Sequence, residues 1–272
     1  MAHYFWLLPL GFVIGAFGTL IGAGGGFILV PLLLLLYPNE SPDLITSISL
    51  AVVFFNALSG SLAYARMKRV DYRSGIIFSI ATVPGAVLGA LTTAYISRRL
   101  FDAIFGALMI VASAYLLWRP GDHRKNLSTT ANHNQLLRGL VDTEGIRHTL
   151  SYNPAVGIVL SLFVGYLSSL LGVGGGFIHV PALVHLLGFP VHVATATSHF
   201  VLAVMALTGT IVHVVTGTFA HGVSRTIALG IGAIFGAQLG ASLSNRIHGD
   251  WIIRGLAVAL GLVGVRLLIM TL

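Results

Sequence analysis

The sequence contains no cysteine and very little charge: only 8% of its 272 residues are Asp, Glu, Lys or Arg. The missing thiols exclude disulfides, thiolate metal sites and thiol catalysis. The scarcity of charge says more, because soluble domains are about 25% charged and need those groups to face water. No Asp, Glu, Lys or Arg stands between Tyr4 and Tyr37, and none from His148 to Ser224. With 56% hydrophobic residues, most of the chain must face lipid, where a span needs roughly 20 apolar residues to cross a core of about 30 Å. Enzyme signatures are missing too. There is no HExxH, nucleophile elbow or aspartyl pair, and LSGS around Ser59 lacks the pattern that surrounds a nucleophile. Asp102 reads as an interfacial partner for Arg98 or Arg99 rather than as a catalyst. The expectation is that the chain is not an enzyme and carries no cofactor.

What charge there is gives 15 Lys and Arg against 8 Asp and Glu, a net +7. The excess lies in short connecting segments, the pattern of a membrane protein with positive loops inside rather than of a nucleic-acid-binding face. A lipid bilayer is therefore the expected partner, and nucleic acid is not. The first hydrophobic run starts at residue 4 without a basic n-region or a cleavage site, and reads as a retained membrane segment.

The chain repeats itself. Gly22 to Pro31 reads GAGGGFILVP and Gly172 to Pro181 reads GVGGGFIHVP, identical at eight of ten positions. ALSGS at Ala57 recurs as ALTGT at Ala206, and GAVLGA at Gly85 as GAQLGA at Gly236. Order and spacing indicate a duplication of about 120 residues. The expected organisation is a first membrane repeat over 1–118, a polar cytoplasmic linker over 119–152 and a second membrane repeat over 153–272. The fold class is all-α and polytopic, with two homologous repeats of four to five spans, each opening with a glycine-broken helix.

Hydrophobic segments fall at about 4–37, 44–65, 75–97 and 100–118, then at about 153–189, 193–216, 226–245 and 251–271. The first of each set is too long for one crossing, since roughly 35 helical residues would reach about 52 Å. Three consecutive glycines and a proline five residues later supply a break. Arg66, Lys68, Arg69 and Arg73 place one loop in the cytoplasm, and PNESPD at Pro38 to Asp43 belongs outside. If the broken unit crosses once, the repeats are parallel. If it doubles back, each half has five segments and the repeats are inverted, which is the expected arrangement because it is a common transporter plan.

Irregular backbone at membrane depth is tolerated only inside protein or against a water-filled cavity. A helix starting after Gly24, Gly25 and Gly26 presents free N–H groups to an anion, and Gly174, Gly175 and Gly176 do the same. The competing reading is close helix packing through small residues. The next segments open with hydroxyls, Thr46, Ser47 and Ser49 in one half and Thr195, Thr197 and Ser198 in the other. Thr46 aligns with Thr195 and Ser49 with Ser198. Such hydroxyls either donate to an anion or bond the carbonyl one turn back. Asn56 and Gln238 should face protein or water. Of the second half's histidines, His199 stands within the hydroxyl cluster and is the candidate proton carrier. No resident metal is expected. The candidate substrate-binding set is Gly24, Gly25, Gly26, Thr46, Ser49, Gly174, Gly175, Gly176, Thr195, Ser198 and His199.

The paired glycine motifs, each followed by a segment opening in Thr and Ser, resemble the TauE/SafE family of sulfite and organosulfonate exporters over nearly the whole chain. The resemblance implies a carrier in the bacterial plasma (inner) membrane for sulfur-containing anions such as sulfite or sulfoacetate, with the glycine motifs and neighbouring hydroxyls as its site. One departure is that Leu50 stands where the second half has His199, which makes any proton-linked role asymmetric. The functional expectation is a secondary transporter working by alternating access, with proton coupling as an option and a homodimer as an allowed assembly. The alternative is a histidine-lined metal-cation permease or channel.

Overall fold

A computed structural model of the chain describes residues 4–118, 136–141, 143, 145, 147–244 and 249–271. Among the described residues ten α-helices carry the fold: α1 (Leu7–Ile21), α2 (Gly26–Leu36), α3 (Pro42–Arg66), α4 (Tyr72–Thr93), α5 (Arg98–Trp118), α6 (Pro154–Leu171), α7 (Gly176–His185), α8 (Val191–Val215), α9 (Val223–Leu243) and α10 (Gly249–Thr271). Five of them, α3, α4, α6, α8 and α9, are long and apolar enough to cross a membrane. Side chains such as Ile80, Val159, Phe235 and Leu262 stand exposed on these helices and on α10. Lipid is the solvent in which so much exposed apolar surface is stable.

Helix starts follow local chemistry. Ser41 accepts from the Leu44 N–H at 3.2 Å with Pro42 in the first helical turn, and Asn153 accepts from the Ala155 N–H at 3.0 Å ahead of Pro154. Each pair combines an N-cap acceptor with the residue that has no N–H to orphan. The described part of the linker adds an antiparallel hairpin, β1 (Leu136–Val141) and β2 (Arg147–Tyr152). It is tied to the basic loop, where both the N–H and the hydroxyl of Thr143 donate to the Met67 carbonyl at 3.3 Å.

The long glycine-containing units double back. Tyr4, ahead of α1, and Tyr37, just after α2, both meet Arg225 at the start of α9. In the second half Tyr152, ahead of α6, and Phe189, after α7, have ring centroids 5.1 Å apart. Among the described residues five helices precede the hairpin and five follow it, and the two outer ends of each broken unit lie together.

Packing between the halves is pairwise. α1 lies along α9 and α4 along α6 at glycine-mediated distances. A Cβ added to Gly85 would stand 2.1 Å from the Leu162 carbonyl oxygen, and one on Gly236 would stand 2.1 Å from that of Phe12. Backbones this close need glycine, which is why GAVLGA and GAQLGA occupy those places. α3 and α8 cross at the centre and run antiparallel, with Gly60 against His199 and Leu50 against Gly209. α5 and α10 also run antiparallel, Gly106 facing Gly264 and Leu268 while Ser113 donates to the Ala257 carbonyl at 2.6 Å.

Polar side chains finish the clasp. Arg98 meets Asp102 at 3.0 Å and donates to the Leu34 and Glu40 carbonyls, also at 3.0 Å. Gln238 donates to the Ser59 carbonyl at 2.9 Å and to its hydroxyl at 2.8 Å, joining α9 to α3.

Candidate functional site

Helix α1 stops because Gly22 takes a left-handed φ of 82°, and the next helix starts only after Gly24 and Gly25, at 73° and 79°. Gly172, Gly174 and Gly175 repeat the geometry at 69°, 86° and 67°. Residues other than glycine pay a steric penalty in this region. No side chain caps the N-terminus of α2 or of α7; part of each first turn is satisfied by glycine carbonyls instead, the Ile28 N–H donating to Gly25 at 3.1 Å, Gly176 to Gly174 at 2.8 Å and Ile178 to Gly175 at 3.0 Å.

The two turns touch. A Cβ on Gly26 would lie 2.4 Å from the Val173 carbonyl oxygen, and one on Gly176 would lie 2.2 Å from that of Gly22. A Cβ on Gly24 would meet Leu202 and Val53, and one on Gly174 would meet the same two residues. Val53 and Leu202 lie close to the midpoints of α3 and α8, so the turns cross where those long helices cross. None of these four glycines has room for a side chain of its own.

Thr46, Ser49, Thr195 and Ser198 are all buried, but the four have different surroundings. Thr46 donates to the Asp43 carbonyl of its own helix at 3.0 Å. Ser49 donates to the Gly172 carbonyl at 2.6 Å and so joins α3 to the second turn. Thr195 presses its methyl towards Gly22, as Thr46 does towards Gly172. Ser198, 1% exposed, has no hydrogen-bond partner at its Oγ. His199 lies within this layer, its Nε2 3.3 Å from the Thr19 hydroxyl, with Nδ1 unpartnered.

Other polar residues come from parts of the chain that sequence reasoning had not connected. Thr19 donates to Asn56 Oδ1 at 3.0 Å, Asn56 donates to the Gly15 carbonyl at 2.9 Å, and Tyr64 donates to the Thr19 carbonyl at 2.9 Å. The signal for Thr19 was its isolation, since it is the lone hydroxyl residue between Tyr4 and Tyr37 apart from those tyrosines. Ser168 and Ser169 are buried with unpartnered hydroxyls beside the second turn. Towards the hairpin, Thr197 accepts from the Asp71 N–H at 3.1 Å, and Ser74 bonds both Asp71 and Tyr152. At the opposite end Asp43 holds His213 at 3.2 Å and accepts from Thr218 at 2.6 Å, and Arg225 meets Glu40 at 2.7 Å.

The histidines are dispersed among different partners: His179 with Ser161, His199 with Thr19, His213 with Asp43. Among the described residues no three of His, Cys, Asp and Glu gather closely enough to hold a metal ion. A donor set of that kind would be needed for a histidine-lined cation path.

Known proteins place the chain. The sequence profile of the family described as sulfite exporter TauE/SafE matches residues 7–267. A probable membrane transporter protein of Bacillus subtilis, YunE, is 35% identical over 268 residues, 96% of each chain. A probable membrane transporter protein of Methanocaldococcus jannaschii is 26% identical over 218 residues, covering 77% of this chain and 73% of its own. One from Xylella fastidiosa is 28% identical over 189 residues, covering 70% and 64%. No solved structure matches. Matched along nearly its whole length, with long apolar helices and no enzyme signature, the chain belongs to the TauE/SafE family and is a multi-pass membrane transporter, not an enzyme.

Proposed function

We propose that the chain is a secondary transporter that exports small sulfur-containing anions such as sulfite or sulfoacetate across the bacterial inner membrane by alternating access. The observation that carries this reading is the crossing of the two glycine turns between α3 and α8, with buried hydroxyls and uncapped helix starts around it. Among the described residues no Lys or Arg lies in the layer, so an anion there is held by backbone N–H groups and by the hydroxyls of Ser198 and Thr195, those of Thr46 and Ser49 being committed to the Asp43 and Gly172 carbonyls, with His199 as a source of positive charge when protonated. Each hydrogen bond to a charged group contributes about 1.5–3 kcal/mol. Such a site binds modestly, which suits a carrier that must also release.

Two repeats, 1–118 and 153–272, joined by a cytoplasmic linker over 119–152, are related in this reading by a two-fold axis in the membrane plane. What supports the inversion is that equivalent helices, α3 with α8 and α5 with α10, run antiparallel, and that the contact of α1 with α9 has its counterpart in α6 with α4. The basic loop at Arg66 to Arg73 and the linker then lie inside, and the Asp43–His213 end lies outside. The halves rock about the crossed turns.

The test is uptake of labelled sulfite into proteoliposomes, challenged with sulfoacetate, sulfate, chloride and divalent cations. Saturable uptake, competed by organosulfonates and untouched by divalent cations, supports the reading. Divalent metal transport without sulfite transport would replace it by the permease alternative.

A further inference from the structure

A chain of hydrogen bonds whose directions are fixed runs from α1 through α3 to α8. The Gly15 carbonyl can only accept, so the group facing it on Asn56 is the amide Nδ2, at 2.9 Å. Asn56 Oδ1 must then accept, and it takes the one hydroxyl proton of Thr19 at 3.0 Å. Thr19 Oγ1 has only lone pairs left for the His199 Nε2 that stands 3.3 Å away. The imidazole is therefore the donor at Nε2, and a neutral ring with its proton there has a bare lone pair at Nδ1. That nitrogen is buried and has no partner of good hydrogen-bond geometry, and the Gly22 backbone of the first glycine turn lies within reach of the ring as an acceptor for its protonated form. Tyr64 closes the other flank, edge-on at 5.6 Å and 79°, while its own hydroxyl is committed to the Thr19 carbonyl. Gly60 leaves no room for rearrangement, because a Cβ there would be 2.6 Å from His199 Cδ2.

We propose that Thr19 and Asn56 are positioning residues that lock His199 as the Nε2–H tautomer, so that Nδ1 is the atom that takes up a proton next to the first glycine turn. This rests on the transport reading for its purpose, but its geometry stands without any substrate. Protonation adds one H⁺ to the Nδ1 lone pair and breaks no bond. The resulting imidazolium keeps Nε2–H on Thr19 and turns Nδ1–H towards the Gly22 backbone, which brings a positive charge to the layer where the anion is held. The device exists in one half only. Under the repeat, Ser169, Met205 and Leu50 stand where Thr19, Asn56 and His199 do, so one such proton site is built per chain.

Few ionisable groups compete around the ring. Tyr64 is the titratable side chain in ring contact, and α1 offers none. Arg69 interacts with Tyr64 from the loop after α3, and the Asp71 N–H is bonded to Thr197. Tyr72 packs on Phe200, and His179 of α7 is bonded to Ser161.

The experiment is nitrogen NMR on 15N-histidine-labelled full chain in lipid nanodiscs, the His199 signals being assigned by their loss in His199→Gln. At neutral pH the wild type should show a protonated Nε2 and an unprotonated Nδ1, and lowering the pH should protonate Nδ1. Thr19→Ser should keep that tautomer, whereas Thr19→Val and Asn56→Leu should populate Nδ1–H in the neutral ring. In proteoliposomes the pH at which sulfite transport falls to half should shift in Thr19→Val and return in Thr19→Ser. A wild type protonated at Nδ1 in its neutral form, or a tautomer indifferent to Thr19→Val, overturns the proposal. So does a transport pH profile that Thr19→Val leaves unmoved. If the tautomer is as stated and sulfite is not carried at all, the substrate assignment falls and the positioning of His199 stands.

Discussion

Ser198→Ala separates a substrate-binding hydroxyl from a structural one. The Ser198 Oγ is buried and has no partner within the protein, so it contributes no internal hydrogen bond to lose. A buried hydroxyl left unsatisfied costs about 1–3 kcal/mol, and replacing it by a methyl in the same place should leave stability unchanged or raise it. If the hydroxyl donates to the transported anion, the variant loses a hydrogen bond to a charged group, about 1.5–3 kcal/mol. That corresponds to a rise of roughly 10- to 150-fold in the apparent KM for sulfite, because every 1.4 kcal/mol is tenfold. Ser49→Ala is the internal control, since its hydroxyl is committed to the Gly172 carbonyl at 2.6 Å. Removing it orphans a buried carbonyl and should lower stability by about 1–3 kcal/mol. Thermal unfolding in detergent and proteoliposome uptake are measured on both. A Ser198→Ala protein that loses stability, or that carries sulfite with an unchanged KM, refutes the reasoning.

Gly176→Ala forces a methyl to within 2.2 Å of the Gly22 carbonyl oxygen and should cost about 1–3 kcal/mol by overpacking while abolishing transport, whereas Gly255→Ala, with open space around it, should be neutral or stabilising by up to about 1 kcal/mol; melting curves of the two decide. Gly89→Val should part α4 from α6, because its Cβ would stand 2.2 Å from the Tyr166 carbonyl oxygen, and a loss of folded yield with no recovery on adding substrate is the expected result. Arg225→Gln removes the part-buried contact with Glu40 and the stacking on Tyr37, a change expected to cost under about 1–2 kcal/mol and visible as a small drop in melting temperature.

The breaks in the first helical unit of each half were legible because length and composition conflict: about 35 apolar residues with three glycines cannot form one span. That the unit returns was expected only from a common transporter plan, not from any residue pattern. Returning depends on Tyr4 and Tyr37 meeting Arg225, and on Tyr152 meeting Phe189, contacts between segments far apart in sequence. The roles of Asp102 and Gln238 followed from their type, since a carboxylate one turn from an arginine and an amide in an apolar helix each have few partners to choose from. Of the candidate site, the sequence showed the residue types but not their bonds. Hydroxyl position could be aligned across the repeats, but Ser49 bonds the opposite turn while Thr46 bonds its own helix, and repeat symmetry gives no hint of that difference. Thr19 escaped notice because its importance comes from His199, 180 residues away. The linker hairpin sits in a polar segment with no alternating apolar pattern to announce it.

The crossed glycine turns as the place of sulfur-anion transport are tested most directly by counterflow. Purified protein in liposomes preloaded with unlabelled sulfite is given labelled sulfite outside, for the wild type, for Ser198→Ala and for Gly255→Ala. The account predicts transient accumulation of label in the wild type and in Gly255→Ala, and accumulation in Ser198→Ala only at sulfite concentrations at least about tenfold higher. Label that enters all three equally, or no faster than into protein-free liposomes, would contradict it.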